Sequence, residues 1–223
     1  MTARQLAIVK DALPFLLKAF VNVTLPLTAL SFLLALLISV LVAMIQYAKV
    51  PVLKDLCRVY IWIIRGTPLM VQLYLVFYGL PDVGIVLDPF PTGVLVFGLN
   101  EGAYMAEAMR GALESVPSGQ LEAGYCVNMS YTSTMWHVIL PQALRTVFPS
   151  FANSLISMVK GTSIVSAITV VDMFKEALDI IGRHYEVLPL YIEVALIYLV
   201  FCSLLTLLQR LGEKLLGAYG GAR

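Results

Sequence analysis

The sequence predicts an all-α integral membrane protein with five transmembrane helices and a cytoplasmic helix-turn-helix. Of its 223 residues, 60% are hydrophobic and 13% are charged, whereas ordinary soluble domains are nearer half apolar and a quarter charged. Five apolar stretches have roughly the 20 residues that a helix needs to cross a bilayer. Between the third and the fourth stretch stands a segment that is too polar to span, EAGYCVNMSYTSTMWHVILPQALR, at residues 122–145.

The five apolar stretches define the predicted spans. They cover residues 23–45, 60–80, 94–112, 148–171 and 188–208. The first span contains no charged side chain, and the others contain few. No internal repeat and no low-complexity linker divides the chain. We therefore expect residues 1–223 to form a single membrane domain.

Residues 1–20 predict an amphipathic helix at the membrane interface. In a helix, Leu6, Val9 and Leu13 fall on one face. Charged side chains lie away from that face: Arg4, Lys10 and Asp11. A helix with one apolar and one charged face lies in the plane of the interface, and these charges argue against a sixth span.

The distribution of basic residues predicts an outside N-terminus and a cytoplasmic C-terminus, because cytoplasmic loops are enriched in Lys and Arg. The second connection, residues 81–93, has neither. Basic side chains lie instead in the first connection, at both ends of the third and at the C-terminus: Lys49, Lys54, Arg58, Arg110, Arg145, Arg210, Lys214 and Arg223. They outweigh the basic residues before the first span, so the polar segment is placed in the cytoplasm.

Residues 119–145 predict two short helices joined by a sharp turn. Residues 120–126 have the length of about two helical turns. Asn128 is the non-glycine residue that best tolerates the left-handed backbone that ends a helix. Ser130 is a cap for the second helix, and we expect Pro141 to end it. Such a pair is either a knob standing in the cytoplasm or an interfacial re-entrant loop without a partner.

This segment resembles the EAA motif of ATP-binding-cassette (ABC) importer permeases. The motif begins at Glu122-Ala123-Gly124, has its turn residue at Asn128 and ends with Val-Ile-Leu-Pro at residues 138–141. Three positions depart mildly from the pattern: the third residue is Gly, the turn Gly is Asn, and the Ile is Val. Three further blocks, RGTPLMVQLYLVFYGLP, AYMAEAMRGALESVPSGQ and KGTSIVS, are similar to successive blocks of the polar amino acid permeases, the histidine/glutamine permease-like family.

The resemblance implies a non-catalytic permease subunit of an ATP-driven amino acid importer in a bacterial inner membrane. Its partners would be cytoplasmic ATPase subunits, a second permease subunit, either identical or a sister chain, and an extracytoplasmic amino-acid-binding protein. The ATPases would bind ATP and Mg²⁺, since this chain has no GxxxxGK[ST] phosphate loop. The net charge of +1 offers no basic surplus for nucleic acid, and the widely spaced cysteines match no zinc pattern.

In this family the turn between the two short helices is a coupling helix that docks in a cleft of the ATPase. The resemblance assigns ATPase coupling to these residues: Glu122, Ala123, Gly124, Asn128, Met129, Ser130, Leu140 and Pro141. Met129, Tyr131 and Trp136 offer apolar contact with the partner. Glu122 and Arg145 are expected to fix the knob to its own membrane helices.

Polar residues within the spans are candidates for the substrate path, because they are costly in a membrane and are commonly functional there. The candidates are Gln72, Glu107, Asn153, Lys160, Gly161, Thr162, Ser163 and Glu193. Glu107 and Arg110 stand three residues apart, which also fits a structural ion pair. Alternatively, Glu107 or Lys160 would relay protons in a secondary transporter driven by an ion gradient.

Two further patterns bear on substrate and assembly. Gly161 stands where many relatives of the family have Asp, Glu or Asn, which favours a polar zwitterionic substrate, neutral or acidic, over a cationic one. Gly98, Gly102 and Ala106 recur every four residues on the third span. Small residues at this spacing predict close helix contact, either within the chain or across a dimer.

Overall fold

The fold is all-helical throughout the part of the chain that the computed structural model describes, residues 2–218. The α-helices of this range, numbered in chain order, are α1 (Ala3–Ala19), α2 (Leu25–Tyr47), α3 (Leu53–Gly66), α4 (Leu69–Tyr74), α5 (Pro89–Ser115), α6 (Gly119–Cys126), α7 (Tyr131–Thr134), α8 (Leu140–Gly161), α9 (Met173–His184) and α10 (Val187–Ala218). Short π-helical and 3₁₀ turns join several of them. Arg223, one of the basic residues from which the membrane orientation is predicted, lies outside the described residues.

The N-terminal segment is a direct extension of the first span. A π-helical turn joins α1 to α2, so that Ala3–Tyr47 is one helix. Ala12 and Leu16 are buried in a cluster with side chains of α9 and α10, whereas Leu6 and Leu13 are exposed. The predicted apolar face therefore points away from the protein. The placement of this segment at the interface stays a prediction.

The second predicted span is broken. α3 ends at Gly66, a new helix begins at Leu69, and the two are bent by 105°. Thr67 is extended, with φ −124° and ψ 144°, which is the backbone that a residue before proline prefers. Pro68 also lacks the N–H that would continue α3. The prediction of one helix over residues 60–80 is therefore wrong.

Gln72, a candidate for the substrate path, holds this break together. Its Nε2 donates to Ile64 O and to Thr67 Oγ1, both at 2.8 Å, and to Thr67 O at 3.1 Å. Its Oε1 accepts a hydrogen bond of 3.0 Å from Asn100 Nδ2 of α5. Carbonyl groups freed by a helix break need such partners in a membrane. The Gln72 side chain thus links α3, α4 and α5.

The central helix is α5, which packs between α2 and α8. A Cβ on Gly98 would lie 2.5 Å from Leu34 Cδ2, and one on Gly102 would lie 3.0 Å from Ile38 Cγ2. Ala106 is fully buried. The glycines let the backbones of α2 and α5 approach closely, so the predicted helix contact is confirmed. It is made within the chain and therefore gives no support for a contact with a second subunit.

Three helices of the described residues are long and apolar enough to cross a membrane: Ala3–Tyr47, Tyr131–Ile168 and Val187–Gly217. The bent pair Leu53–Gly66 and Leu69–Val83 adds a fourth if it is one span. α5 has 27 residues but is less apolar. Its position between α2 and α8 buries polar groups such as Asn100. The count of five spans therefore stays a prediction.

Candidate functional site

The polar segment forms a knob, residues 119–139, that consists of α6, a turn and α7 with its following π-helical turn. Asn128 has φ 61°, the left-handed backbone that the sequence predicts at the turn. Ser130 Oγ accepts a hydrogen bond of 3.2 Å from Ser133 N and so caps α7. The structure therefore has the two helices, the turn and the cap that the sequence predicts.

Gly124 lets the two knob helices pack in direct contact. A Cβ at this position would lie 2.5 Å from Thr134 Oγ1 and 2.6 Å from Thr134 Cγ2. Thr134 is fully buried, and its hydroxyl donates to Ser130 O at 3.1 Å. The Gly that departs from the family's Ala thus faces a side chain that fills the space.

The second knob helix continues through Pro141 into α8. A π-helical turn at Met135–Ile139 follows α7, and α8 begins at Leu140, so that Tyr131–Ile168 is one helix. The prediction that Pro141 ends the knob is therefore wrong. Because the π turn bonds residues five apart instead of four, it accommodates a proline that cannot donate the usual helical hydrogen bond. The knob is consequently the first part of a long helix.

Buried apolar side chains fix the knob to the body of the protein. Met135 belongs to the main hydrophobic core, and Leu121 packs against that core. Gln142 Nε2 also donates to Gln120 Oε1 at 3.4 Å. Glu122 and Arg145 are both exposed, and neither forms an ion pair within residues 2–218. Packing rather than these two charges therefore holds the knob in place.

Aromatic and apolar side chains are exposed around the turn of the knob, on a surface that we call the tip patch. Tyr125, Val127 and Trp136 have 52%, 70% and 53% of their surface exposed, and Tyr131 is also exposed. Met129 is half-buried. Tyr131 and Trp136 are thus accessible, and Tyr125 and Val127 are exposed as well; the contact of these side chains with a partner stays a prediction. The tip patch is therefore a candidate interaction surface.

One face of α8 is polar along the helix and exposed; we call it the polar face. It consists of Thr146, Ser150, Asn153, Ser157 and Lys160, whose spacing alternates between four and three residues and so keeps them on one side of a helix. An exposed polar face in a membrane protein meets water or another subunit rather than lipid. Asn153 and Lys160 are among the candidates predicted from the sequence, and the helical spacing of the other three is also visible there.

A cavity of about 430 Å³ lies where the polar face ends. Lys160 and Ser163 line it from the long helix that contains α8. The rest of its wall comes from α9 and α10: Phe174, Tyr191, Val194, Ala195 and Tyr198. The rings of Phe174 and Tyr191 are stacked, with centroids 6.1 Å apart. Among the described residues, the lining has one cationic side chain and no carboxylate.

The remaining candidates for the substrate path, apart from Asn153 of the polar face, do not line this cavity. Thr162 is fully buried, and its hydroxyl donates to Val159 O at 2.8 Å, within its own helix. A Cβ on Gly161 would lie 3.4 Å from the ring of Phe97 in α5. Gln72 is engaged at the break between α3 and α4. A contact of these residues with substrate stays a prediction.

Glu107 and Glu193 are also separate from the cavity. Glu107 Oε2 lies 3.0 Å from Arg110 Nη2, so the ion pair that the spacing predicts is present, and Arg110 also pairs with Glu114 at 2.8 Å. Glu193 is 7% exposed, and its carboxylate oxygens have no hydrogen-bond partner among the described residues. It lies beside a groove that Gln5 of α1 also lines. The role of both residues in transport stays a prediction.

The proteins that this chain resembles are membrane components of transport systems. A family described as "Binding-protein-dependent transport system inner membrane component" matches residues 35–216. The L-cystine transport system permease protein TcyB of Bacillus subtilis is 44% identical over 197 residues, which cover 88% of this chain and 84% of that protein. The nopaline transport system permease protein NocM of Agrobacterium fabrum is 34% identical, over 96% of this chain and 92% of that protein. A crystal structure of an amino acid ABC transporter superposes with a TM-score of 0.87 at 34% identity, over 96% of this chain and 99% of that chain.

The fold and these matches define the class as an all-α permease with the architecture of type I ABC importers. The chain belongs to the family of binding-protein-dependent transport system inner membrane components, as a permease subunit of an amino acid ABC transporter. This membership favours ATP-driven transport over the alternative of a secondary transporter driven by an ion gradient.

Proposed function

We propose that the chain moves an amino acid inward along the polar face of α8, driven by ATPase subunits that bind the tip patch. The observation that carries this proposal is the continuity of Tyr131–Ile168. This single helix begins in the knob and carries the polar face along its length. Because a continuous helix moves as one body, a displacement of the knob would also displace the polar face.

The partners follow from the surfaces that the chain exposes. The tip patch supports docking to a cytoplasmic ATPase, which would hold ATP and Mg²⁺. The polar face supports a second permease subunit, either a copy or a sister chain, because a water-filled path between two such faces would shield them from lipid. An amino-acid-binding protein would dock at the opposite side of the membrane, on residues 81–92, which lead into α5, and on residues 175–186, which contain most of α9.

The orientation is proposed from the distribution of basic residues. Lys49 stands in the turn between α2 and α3, and Lys54 and Arg58 lie in the first turns of α3. The cytoplasmic side of a membrane protein is the side enriched in such residues. This orientation places the knob and the C-terminus in the cytoplasm and the N-terminus outside. The outer connections then present exposed side chains such as Val86 and Tyr185 to the binding protein.

For the substrate we propose a zwitterionic amino acid whose net charge is zero, and L-cystine is the first candidate. The Lys160 ammonium group would bind an α-carboxylate. No described side chain of the cavity offers a carboxylate to balance a cationic side chain. The aromatic wall suits sulfur, which makes favourable contacts with ring edges. The similar protein TcyB is named for L-cystine transport.

The test is uptake of labelled cystine into proteoliposomes that contain the chain and the ATPase that co-purifies with it, with the binding protein outside. We expect uptake to require internal ATP, to resist a proton ionophore and to be inhibited more by unlabelled cystine than by arginine. Uptake that ignores ATP and collapses with the ionophore would contradict the proposed mechanism. Stronger inhibition by arginine would contradict the proposed substrate class.

A further inference from the structure

We propose that a cleft beside α3 binds the phosphodiester headgroup of an anionic phospholipid. The cleft lies between α3, the end of α5 and the turn that joins α2 to α3, and it has a volume of about 560 Å³. We call it the headgroup cleft. Its lining side chains are Gln46, Lys49, Lys54, Arg58, Glu107, Arg110 and Glu114. It is separate from the tip patch, the polar face and the Lys160 cavity.

The lining of the cleft has an excess of positive charge that an anion would neutralise. Its lining has four cationic and two acidic side chains. Both acids, Glu107 and Glu114, are held by Arg110, at 3.0 and 2.8 Å. Lys49 and Lys54 pair with no carboxylate within residues 2–218. The two lysines therefore present uncompensated positive charge to the cleft, and a phosphodiester would neutralise it.

The backbone of the turn holds one of these lysines in an uncommon conformation. Lys49 has φ 52° and Val52, in the same turn, has φ 65°. The left-handed backbone costs roughly 1–2 kcal/mol per residue for side chains other than glycine, and it is a true outlier for a β-branched residue such as valine. The chain thus tolerates this cost in the turn that contributes Lys49 to the lining of the cleft.

The surroundings of the cleft fit a lipid better than a free anion. α3 turns Lys54 and Arg58 toward the cleft, while Leu56 and Val59 are exposed on its other side. Trp62 is 75% exposed, and tryptophan is enriched where headgroups meet acyl chains. A helix with a basic polar face and an exposed apolar face lies at this boundary. Acyl chains would cover the apolar face of α3 while the phosphate enters the cleft.

The test is native mass spectrometry of the purified chain with phosphatidylglycerol or phosphatidylcholine of the same acyl composition. We expect tighter binding of phosphatidylglycerol, and the double variant Lys49→Gln/Lys54→Gln to weaken it by about fivefold for each lysine removed. The matched control is Lys10→Gln/Lys18→Gln, which removes two exposed lysines of α1 and should leave the preference unchanged. Lys49→Arg/Lys54→Arg keeps both positive charges and should also retain the preference for phosphatidylglycerol. A loss seen only in the glutamine variant is then due to the missing charge and not to misfolding.

Four results would overturn the proposal. The first is equal binding of the two lipids by the unmodified chain, and the second is an unchanged preference in Lys49→Gln/Lys54→Gln. The third is displacement of phosphatidylglycerol by inorganic phosphate, which would make the cleft a site for free anions. Loss of lipid binding when the ATPase is bound would assign the cleft to a protein contact and would equally count against a lipid.

Discussion

Asn128 sets the angle between the two helices of the knob. Its backbone is left-handed, with φ 61°, in a position where the related motif has glycine. Asparagine is among the few residues other than glycine that adopt this conformation readily, because its short polar side chain can hydrogen-bond locally. The departure from the family pattern therefore leaves the turn geometry intact.

Substitutions at Asn128 should separate turn geometry from side-chain chemistry. Asn128→Gly keeps the backbone free to be left-handed, whereas Asn128→Val imposes a strain of roughly 1–2 kcal/mol. We expect the Gly variant to transport as the unmodified chain does, and the Val variant to transport less substrate per ATP hydrolysed. Both quantities are measured in the same proteoliposomes. Equal coupling in the two variants would show that the turn does not determine the docking geometry.

Lys160 is the charged member of the polar face and lines the cavity at its end. Lys160→Met should lower uptake at subsaturating substrate by about tenfold, because a charge-assisted hydrogen bond contributes about 1.5–3 kcal/mol. Lys160→Arg should restore part of the uptake. Lys10→Met, at an exposed position of α1, is the control. Normal uptake by Lys160→Met would show that Lys160 has no direct role in substrate binding.

The two helices of the knob act as one element because Gly124 and Thr134 interlock. Gly124→Ala would force the helices apart, since the new Cβ would meet Thr134 at 2.5 Å; such overpacking costs about 1–3 kcal/mol. We expect faster proteolytic cleavage of the knob in Gly124→Ala and partial recovery in Gly124→Ala/Thr134→Ala. Thr134→Ala alone provides the reference. A double variant that is cleaved as fast as Gly124→Ala would rule out this contact as the cause.

At the level of elements, local patterns predict some features and long-range packing decides others. The turn at Asn128 and the cap at Ser130 depend on neighbouring residues and are found as predicted. The break at Pro68 follows from a local rule too, but the apolar run across it hides the break. Pro141 shows the opposite case: the residue favours a helix end, yet a π-helical turn and packing against the core carry the helix through.

The residue types and spacing of the candidate site were predictable from the sequence, but their exposure and contacts were not. The spacing of the polar face is periodic and can be seen in the sequence, but its exposure depends on which sides of α8 are covered by α5 and α10. Gln72 is polar, as a residue of the substrate path is expected to be. Only the structure shows that its side chain makes its hydrogen bonds at the helix break, with Ile64, Thr67 and Asn100. Contacts between residues distant in sequence are not encoded in local pattern.

At the scale of the whole molecule, one helix joins the two surfaces that transport would need. The tip patch lies around the start of Tyr131–Ile168, and the polar face follows along it. α5 packs beside this helix and in turn contacts α2, so that a movement of the long helix would reach the rest of the membrane domain. Coupling between ATP and substrate would then depend on the stiffness of the segment between the knob and the polar face.

The most direct measurement of this claim compares two double variants in that segment. Leu144 and Arg145 are exposed on α8, so Leu144→Gly/Arg145→Gly softens the helix by about 1 kcal/mol per glycine without disturbing the core, and Leu144→Ala/Arg145→Ala removes the same side chains but keeps the helix stiff. The measured quantity is substrate taken up per ATP hydrolysed in proteoliposomes. We expect a severalfold lower ratio in the glycine variant, with the ATPase still bound, and an unchanged ratio in the alanine variant. Equal ratios in the two variants would contradict it.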